Sequence, residues 1–466
     1  MIQAESIILP VKRRSVGLRK QALSRNINVI SRLKTGIWVY FFLLLFEGAL
    51  RKWFLSSLAG PLLILRDPIV IWVLFSAYKN GLVKSSVLAL MMVSIGLIGL
   101  YTAIFMGHGN FYVAVYGARI LIFHFPLMFV IGQIFTKEDV LKVGRITLMI
   151  SIPMTLLIMM QFYSPQSAWI NKTVGGEAGG GFSGAMNFYR PPGTFSFTNG
   201  NTLFYSFCSC FVLYFWFNDK EIKRSVLLAA TIALLLAIPF SISRGLFFQV
   251  IITVLFAFSS LVLKPKYTLH MLLLVGAVVG LFVVLSYTPY FTTATAAFTS
   301  RFETANSQEG GLNGVLLDRF LGGMIGAIAA SSQLPFFGYG IGLGTNVGSM
   351  LMSGGRGFML SEGEWGRLIS ELGPVLGLTA VFIRMTLALS MTFRSIKMLL
   401  SGNLLPWMLT SFGFLAVAQH GWAQPTSLGF SVFTGGLILA ALNDVQQKKT
   451  RLPLRKRLHV ESSILK

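Results

Sequence analysis

Long uninterrupted apolar runs constrain the fold of this chain more than any other feature of its sequence. About twelve of them occur along the 466 residues, and most approach the roughly 20 residues that a helix needs to cross a bilayer. Backbone polar groups in lipid must be hydrogen-bonded within their own segment, which favours helices. A transmembrane barrel would show apolar–polar alternation over about ten residues per strand, and these runs lack it. The runs therefore predict an all-α, polytopic membrane bundle of about 12 spans.

The predicted spans are roughly 36–50, 61–78, 85–105, 111–134, 146–163, 201–217, 225–241, 246–263, 268–287, 373–391, 404–419 and 426–442. They make 36–442 a single transmembrane domain between two basic tails, 1–35 and 443–466. Two connections are long, 164–200 and 288–372, and loops of such length are usually functional or disordered. Both are rich in glycine and aromatic residues, which predicts folded caps over one face of the membrane. The second should be partly helical, from about Leu316 to Ala330.

The distribution of basic residues predicts the orientation. A net charge of +23 in a soluble protein would suggest nucleic-acid binding. A chain that is 54% hydrophobic and 12% charged is a poor soluble protein, so the bilayer is the expected partner and nucleic acid is not. With the N-terminus in the cytoplasm, 27 of the 39 Lys and Arg fall on the cytoplasmic side and nine on the outer side. This distribution obeys the positive-inside rule and places both termini in the cytoplasm.

The sequence predicts no metal site, no nucleotide-binding site and no leader sequence. Cys208 and Cys210 lie in one apolar run and are interpreted as packing residues, and the five histidines show no zinc-site spacing. The glycine-rich stretches 175–184 and 338–344 lack the spacing and the context of a phosphate-binding loop. We therefore expect no metal and no cofactor. The first apolar run is interrupted by charges, which argues against a cleavable signal peptide.

Ionisable residues inside the predicted spans are costly in lipid and are candidates for function. Glu47 and Arg51 are four residues apart, on one face of the first span, and Arg66-Asp67 follow near the start of the next. Arg119 lies in the fourth span and should face the bundle interior. These charges predict either a structural ion cluster or support for a site at the outer face. We interpret His124, in the same span as Arg119, as a hydrogen-bonded interior histidine.

Arginines in stiff or tightly turned surroundings mark the predicted outer face. Their forked guanidinium groups suit phosphate, and several together suit a lipid pyrophosphate. The alternative for each is simple anchoring at lipid headgroups. The four are Arg190 in Tyr189-Arg-Pro-Pro-Gly193, Arg244 in Ser241-Ile-Ser-Arg-Gly245, Arg319 after Asp318, and Arg356 in Ser353-Gly-Gly-Arg-Gly357.

Carboxylates gather just before the tenth predicted span. In a helix, Glu364, Arg367 and Glu371 would share one face, and Glu362 would lie at the N-terminal turn. A carboxylate there is favoured in its charged form and is suited to accept a proton from a sugar hydroxyl. The alternative is helix capping with a ladder of ion pairs. The sequence leaves both interpretations open.

Several weak motifs now occur in a recognisable order. They are Arg190-Pro-Pro-Gly-Thr-Phe195, Ser243-Arg244-Gly245, Asp318-Arg319-Phe320 leading to Pro335-Phe-Phe-Gly-Tyr-Gly-Ile-Gly342, and Glu371-Leu-Gly373 with Gly377. In this order, and with this layout of spans and long loops, the chain resembles the O-antigen ligase/polymerase family of bacterial envelope glycosyltransferases. The resemblance covers roughly 160–390.

The resemblance implies a location, a substrate and partners. Family members sit in the bacterial inner membrane and act at its periplasmic face. They transfer glycan from an undecaprenyl-pyrophosphate-linked donor to another glycan, to lipid A core or to a protein, without metal or nucleotide. Polymerases of the family imply a flippase and a chain-length regulator as partners. We expect a polysaccharide polymerase ahead of an O-antigen ligase or a protein O-oligosaccharyltransferase.

The resemblance also implies roles for residues. Arg190, Arg244 and Arg319 match the arginines that hold the pyrophosphate. The family often has a His-Asn pair nine residues before the Glu of its Glu-x-Gly motif, and here Glu362-Gly363 stands in that register. The base that activates the acceptor hydroxyl would then be a carboxylate, Glu362 or Glu364. Arg356, from the outer-face arginines described above, is a fourth candidate for binding the pyrophosphate. Tyr189 and Trp365 are expected to shape the sugar path, and Arg367 and Glu371 to support the site.

Two other classes stay open on the sequence alone. Twelve spans with both termini inside also suit a polytopic transporter or flippase. The concentration of polar residues in the outer loops, and the lack of similarity between the two halves, argue against that class. A cell-wall polymerase of the shape and division type would also use a lipid-pyrophosphate donor.

Overall fold

The computed structural model describes residues 11–84, 86–177, 179–263, 268, 276, 280, 283–308, 323–354, 360, 361 and 363–443. Helices account for most of these residues. In chain order they are α1 Val11–Ala49, α2 Asp67–Lys79, α3 Val87–Phe105, α4 Phe111–Arg119, α5 Phe125–Ile134, α6 Lys137–Tyr163, α7 Thr198–Phe217, α8 Arg224–Phe240, α9 Arg244–Leu263, α10 Pro289–Gln308, α11 Gly323–Ala329, α12 Asn346–Ser353, α13 Glu364–Leu400, α14 Leu405–Ala418 and α15 Pro425–Asn443.

Shorter elements join or extend these helices. Two π-helical turns, Leu50–Phe54 and Ile120–His124, continue α1 and link α4 to α5. The 3-10 turns are Ser56–Leu58, Pro61–Ile64, Trp169–Asn171, Asp219–Glu221 and Ala330–Gln333. Strands β1 Ser183–Ala185 and β2 Phe188–Tyr189 form an antiparallel hairpin.

Eight helical stretches in the described part of the chain are long and apolar enough to cross a membrane. They are Ile27–Phe54, Pro61–Lys79, Val87–Phe105, Phe111–Ile134, Lys137–Tyr163, Arg244–Leu261, Glu364–Leu400 and Pro425–Asn443. The chain is therefore a helical membrane protein, as its hydropathy predicts.

The number of twelve spans is confirmed only in part. The predicted spans 225–241 and 404–419 form apolar helices shorter than 18 residues, α8 and α14. The predicted span 201–217 falls within α7, which is not among the eight membrane-length apolar stretches. Of the predicted span 268–287, only residues 268, 276, 280 and 283–287 are among the described residues.

Burial separates central helices from peripheral ones. In the most apolar window of α15, 89% of the residues are buried inside the protein, against 28% in that of α9. Close contacts explain the central place of α15, because Phe41 and Phe433 stack with ring centroids 4.8 Å apart and Gly436 lies against Ile131. A helix that is apolar on all sides is stable only when it is enclosed by protein or lipid. Here α15 is enclosed by protein, and α9 leaves more of its surface to lipid.

Helix α13 begins at Glu364, nine residues before the predicted start of the tenth span. It is broken at Gly373, whose φ of 80° and ψ of 171° are not helical, and Pro374 follows directly. The predicted boundary at 373 coincides with this break and not with the start of the helix. The reason is that residues 364–372, although helical, are too polar to be predicted as part of a membrane span. Residues 364–372 therefore belong to a helix, although they were assigned to the long loop 288–372.

The glycine-rich segment 338–344 packs backbone to backbone against its neighbours. The N–H groups of Tyr339 and Gly340 donate to the carbonyls of Ser370 and Glu371, which the break at Gly373 leaves available. Gly338, Gly340 and Gly342 all have positive φ. A Cβ on Gly342 would lie 2.1 Å from the carbonyl oxygen of Val113. Close backbone packing accounts for these glycines.

The segment 164–197 folds into a compact cap. Met186 and Asn187 join β1 to β2 with φ of 51° and 63°, the conformation of a two-residue type I′ turn. Phe188 stacks on Phe162 of α6 with centroids 4.3 Å apart. The side-chain amide of Gln161 both donates to and accepts from the backbone of Gly193, at 3.2 and 2.8 Å. These contacts fix the stretch that carries Arg190.

The turns that carry most polar side chains lie together. We call the end of the bundle formed by 164–197, 241–243, 334–345 and 419–424 the loop end. Asn199, just inside α7, donates to the side chain of Gln424 at 3.3 Å and so joins two of these turns.

We predict that Gly342→Ala strongly destabilises the protein, by about 3 kcal/mol or more, because it combines a backbone clash with an unfavourable φ of 100°. The measurement is the thermal unfolding midpoint of the purified protein in detergent. Gly60→Ala is the matched control, since a Cβ there meets no atom within 4 Å. Equal midpoints for the two variants would contradict this account of the glycine-rich segment.

Candidate functional site

A polar cavity of about 300 Å³ opens at the loop end. Three arginines, Arg190, Arg244 and Arg301, line it from three different elements. None of the cavity's lining side chains in the described part of the chain is a carboxylate. The remaining lining residues are Phe182, Asn199, Thr202, Ile242, Ser243 and Gly245. A cavity of this size with converging cations is suited to an anion of several oxygens.

Arg244 is placed by a strained turn at the start of α9. Ile242 is buried and has a φ of 46°, which is rare for a β-branched residue and reverses the chain sharply between α8 and α9. The hydroxyl of Ser243 accepts from the N–H of Leu246 at 3.3 Å and shares a 2.9 Å hydrogen bond with Thr202. Ser243 thus caps α9, and Arg244 is its first residue. The N-terminal end of a helix adds a partial positive charge to the cavity.

Arg190 is placed by the hairpin. Its N–H donates to the carbonyl of Phe182 at 2.9 Å, and its guanidinium lies 5.5 Å from the centre of the Phe182 ring. Burial, and the nearby charges of Arg301 and Arg244, lower the pKa of Arg190 to about 10. Its Nε has no hydrogen-bond partner among the described residues. A bound anion would reduce the repulsion among these positive charges and would accept a hydrogen bond from the unused Nε–H of Arg190.

Arg301 was missed by sequence reasoning. It lies on α10, which packs against β1, in a region that was predicted to be loop. The motifs gave no signal for it. The only sequence signal is its place in Phe298-Thr-Ser-Arg301-Phe302, where both phenylalanines contact Phe247 of α9 with centroids 5.8 Å apart. That aromatic contact brings α10 beside α9 and Arg301 to the cavity.

Glu364 lies at the centre of a second, fully buried cluster. Arg367 donates to both of its oxygens in a forked arrangement, from Nε at 2.9 Å and from Nη2 at 2.8 Å. Arg384 donates to Oε1 at 2.5 Å, and the N–H of Trp422 donates to Oε2 at 3.0 Å. The predicted helical face is confirmed, because Arg367 also pairs with Glu371 at 2.6 Å. The partner Arg384 was not anticipated, since it lies 20 residues away in sequence.

This geometry gives Glu364 a structural part. Both carboxylate oxygens already accept charge-assisted or backbone hydrogen bonds, so a proton from a sugar hydroxyl would have to displace them. The same cluster fixes the 419–424 turn, because the carbonyl of His420 accepts from Arg384 at 2.9 Å. Burial, followed by the charge of Arg384, lowers the pKa of His420 to about 4, so this ring is neutral at pH 7. Trp365 also ties α13 to α14, through a 3.0 Å bond to the carbonyl of Ala418.

A third set of charges joins α1, α2 and α4. Glu47 pairs with Arg66 at 3.0 Å and lies 3.6 Å from Arg51, so the Arg66 contact is the tighter one. Asp67 accepts from Arg119 at 2.7 Å and contacts His124 at 2.9 Å. These contacts support the structural reading of Glu47, Arg51 and Arg119, and His124 is indeed hydrogen-bonded in the interior.

The third set also contacts the cap. Arg51 donates to the hydroxyl of Ser196 at 3.1 Å, which links the end of α1 to the Arg190 stretch. Tyr189 is exposed and lines a smaller cavity next to Arg190. Three predicted site residues, Glu362, Arg319 and Arg356, lie outside the described residues.

We predict that Glu364→Gln lowers stability by about 3 kcal/mol or more, because it leaves two buried arginines without a full countercharge. The thermal unfolding midpoint in detergent measures the effect. Glu138→Gln is the control, since its side chain is 75% exposed and lies 4.0 Å from Arg145. A Glu364→Gln protein that unfolds like the wild type but has lost its activity would instead favour a catalytic part for this carboxylate.

No protein-family model matches this chain, and no curated protein matches it at a significant level.

Proposed function

We propose that the protein is a membrane glycosyltransferase of the O-antigen polymerase/ligase type. It transfers glycan from an undecaprenyl-pyrophosphate donor to a hydroxyl of an acceptor glycan, at the periplasmic face of a bacterial inner membrane. A polymerase is preferred to a ligase. In this proposal the loop end is the periplasmic end, and both termini are cytoplasmic, in keeping with the basic cytoplasmic segments.

The observation that carries the proposal is the convergence of Arg190, Arg244 and Arg301 on one cavity. Arg190 and Arg244 come from motifs that resemble the family, and Arg301 adds a third cation. The cavity of about 300 Å³ has room for a pyrophosphate group. A cluster of this kind, at the end of membrane-spanning helices, favours a lipid with a doubly phosphorylated head.

The proposed reaction needs no external energy source, because the donor is already activated. The acceptor hydroxyl oxygen attacks the anomeric carbon of the donor sugar, and the bond from that carbon to the pyrophosphate oxygen breaks. The leaving pyrophosphate takes the bonding electron pair. Arg190, Arg244 and Arg301 neutralise the charge that develops there, a contribution worth about 10²–10³ in rate per preorganised donor.

The proton of the acceptor hydroxyl passes to a carboxylate. We assign this part to Glu362, since both oxygens of Glu364 are already engaged by Arg367, Arg384 and Trp422. Glu364 then acts as a positioning residue that holds the start of α13. The 419–424 turn connects this helix start to the arginine cavity, through the contact of Gln424 with Asn199.

Binding of the leaving group is testable without any glycan. Inorganic pyrophosphate should raise the thermal unfolding midpoint of the wild-type protein, because a ligand that binds only the folded state stabilises it. Arg301→Met should weaken this binding about tenfold or more by removing one charge-assisted contact. Arg145→Met, on a partly exposed side chain of α6, is the control and should bind as the wild type does. An equal shift in all three proteins would contradict the assignment of the cavity.

Transfer itself is tested with a defined undecaprenyl-pyrophosphate oligosaccharide and the protein in liposomes. We expect a ladder of glycan lengths from the wild type, and a rate loss of about 10²-fold or more in Arg244→Ala and in Glu362→Ala. Full-length polymer from correctly inserted Arg244→Ala and Glu362→Ala proteins would overturn the site. A single addition to lipid A core would assign a ligase, and translocation of the donor without transfer would assign a flippase.

A further inference from the structure

Lys52 differs from the other deeply buried basic residues. Among the described residues, the other lysines and arginines that are at least nine-tenths buried each pair with a carboxylate. They are Arg66, Arg119, Arg367 and Arg384. Lys52 is only 1% exposed, yet it has no ion pair in the described part of the chain. A buried ammonium without a countercharge carries a large desolvation cost.

The contacts of Lys52 are neutral. Its Nζ donates to the carbonyl of Gly193 at 2.6 Å and lies 4.6 Å from the centre of the Trp53 ring. The π-helical turn Leu50–Phe54 places Lys52 here, since it shifts the end of α1 so that Arg51 and Lys52 both point into protein. Single π-helical turns of this kind are frequent at functional sites.

Lys52 lines a small cavity that adjoins the arginine cavity, because Arg190 lines both. Its lining also includes Lys172 and Thr198, and none of the lining side chains in the described segments is a carboxylate. The hydroxyl of Thr198 is buried and has no hydrogen-bond partner among the described residues. The Nε of Arg190 is likewise unpartnered. Among its described lining residues, the cavity therefore offers positive charge and unused hydrogen-bonding groups but no negative group.

The size of the cavity limits the anion. Its volume is about 50 Å³, which is enough for about three to five water-sized groups at roughly 10–15 Å³ each. A carboxylate has three heavy atoms and fits this volume, whereas a pyrophosphate has nine and does not. The larger arginine cavity remains the place for the pyrophosphate.

We infer that the Lys52 cavity is a subsite for the carboxylate of an acidic sugar, which lies beside the pyrophosphate of the donor. This inference rests on the proposed function and narrows its substrate to a glycan that contains a uronic acid or a similar acidic residue. Lys52 supplies the countercharge, and the Thr198 hydroxyl and Arg190 supply hydrogen bonds. The neutral sugars next to it would lie against the exposed aromatic residues Trp169 and Tyr189.

The test uses the purified full chain in detergent and the tryptophan fluorescence of the Trp53–Trp169 pair, whose rings stack 5.3 Å apart beside Lys52. Glucuronate, glucose and inorganic phosphate are titrated at constant ionic strength. We expect a saturable change with glucuronate and none with glucose. Lys52→Met should raise the apparent Kd for glucuronate about tenfold or more. Lys84→Met, at an exposed site, should bind as the wild type does.

A second variant keeps the test valid if Lys52→Met folds poorly. Thr198→Val preserves the shape of the side chain and removes a hydroxyl that has no partner in the free protein, so its unfolding midpoint should match that of the wild type. It should still bind glucuronate more weakly. Wild-type affinity in both variants, an equal response to glucose, or a response to phosphate alone would each overturn the inference.

The outcome separates the inference from the proposed function. Arg301→Met should bind pyrophosphate about tenfold or more weakly and keep its response to glucuronate, since Arg301 does not line the small cavity. A wild-type protein that binds glucuronate but not pyrophosphate would refute the glycosyltransferase proposal and leave the carboxylate subsite standing. The reverse pattern would refute only the subsite.

Discussion

The arrangement of helices in this structure depends on the need to neutralise buried charges. In a helical bundle without bulk water, an arginine that points inward is tolerated when a carboxylate meets it. Glu364 forms ion pairs with Arg367 and Arg384, and Asp67 forms one with Arg119. These pairs join helices that are far apart in sequence and hold the loop end in one arrangement. Against this background, a cavity lined by three arginines is suited to bind a negatively charged ligand.

Hydropathy predicted the helical membrane character well, because an apolar run of about 20 residues has few alternatives to a spanning helix. It predicted less about helix ends. The start of α13 at Glu364 was missed because 364–372 is polar on one face, although its ion-pair ladder was anticipated from the spacing of Glu364, Arg367 and Glu371. Both the helical periodicity and the spacing of the charged residues were needed to predict a helix over 364–372.

The parts of the site that the sequence did not predict come from tertiary contacts. Arg190 and Arg244 were found because turns with proline, glycine and serine have local signatures. Arg301 has no such signature, and the packing of Phe298 and Phe302 on α9 brings it to the cavity. Lys52 was not singled out from the sequence, since its inward direction depends on a π-helical turn that composition does not reveal. Local sequence thus identifies rigid residues better than it identifies their neighbours.

The break at Gly373 has a consequence for the order of assembly. The carbonyls of Ser370 and Glu371 are capped by the N–H groups of Tyr339 and Gly340, which are made about 30 residues earlier during synthesis. The glycine-rich segment is therefore synthesised first, and it lacks these hydrogen-bond partners until α13 has been synthesised. Only then can these N–H and carbonyl groups exchange their hydrogen bonds to water for hydrogen bonds to each other. A substitution at Gly338, Gly340 or Gly342 would therefore act on a contact that can form only after α13 has been synthesised.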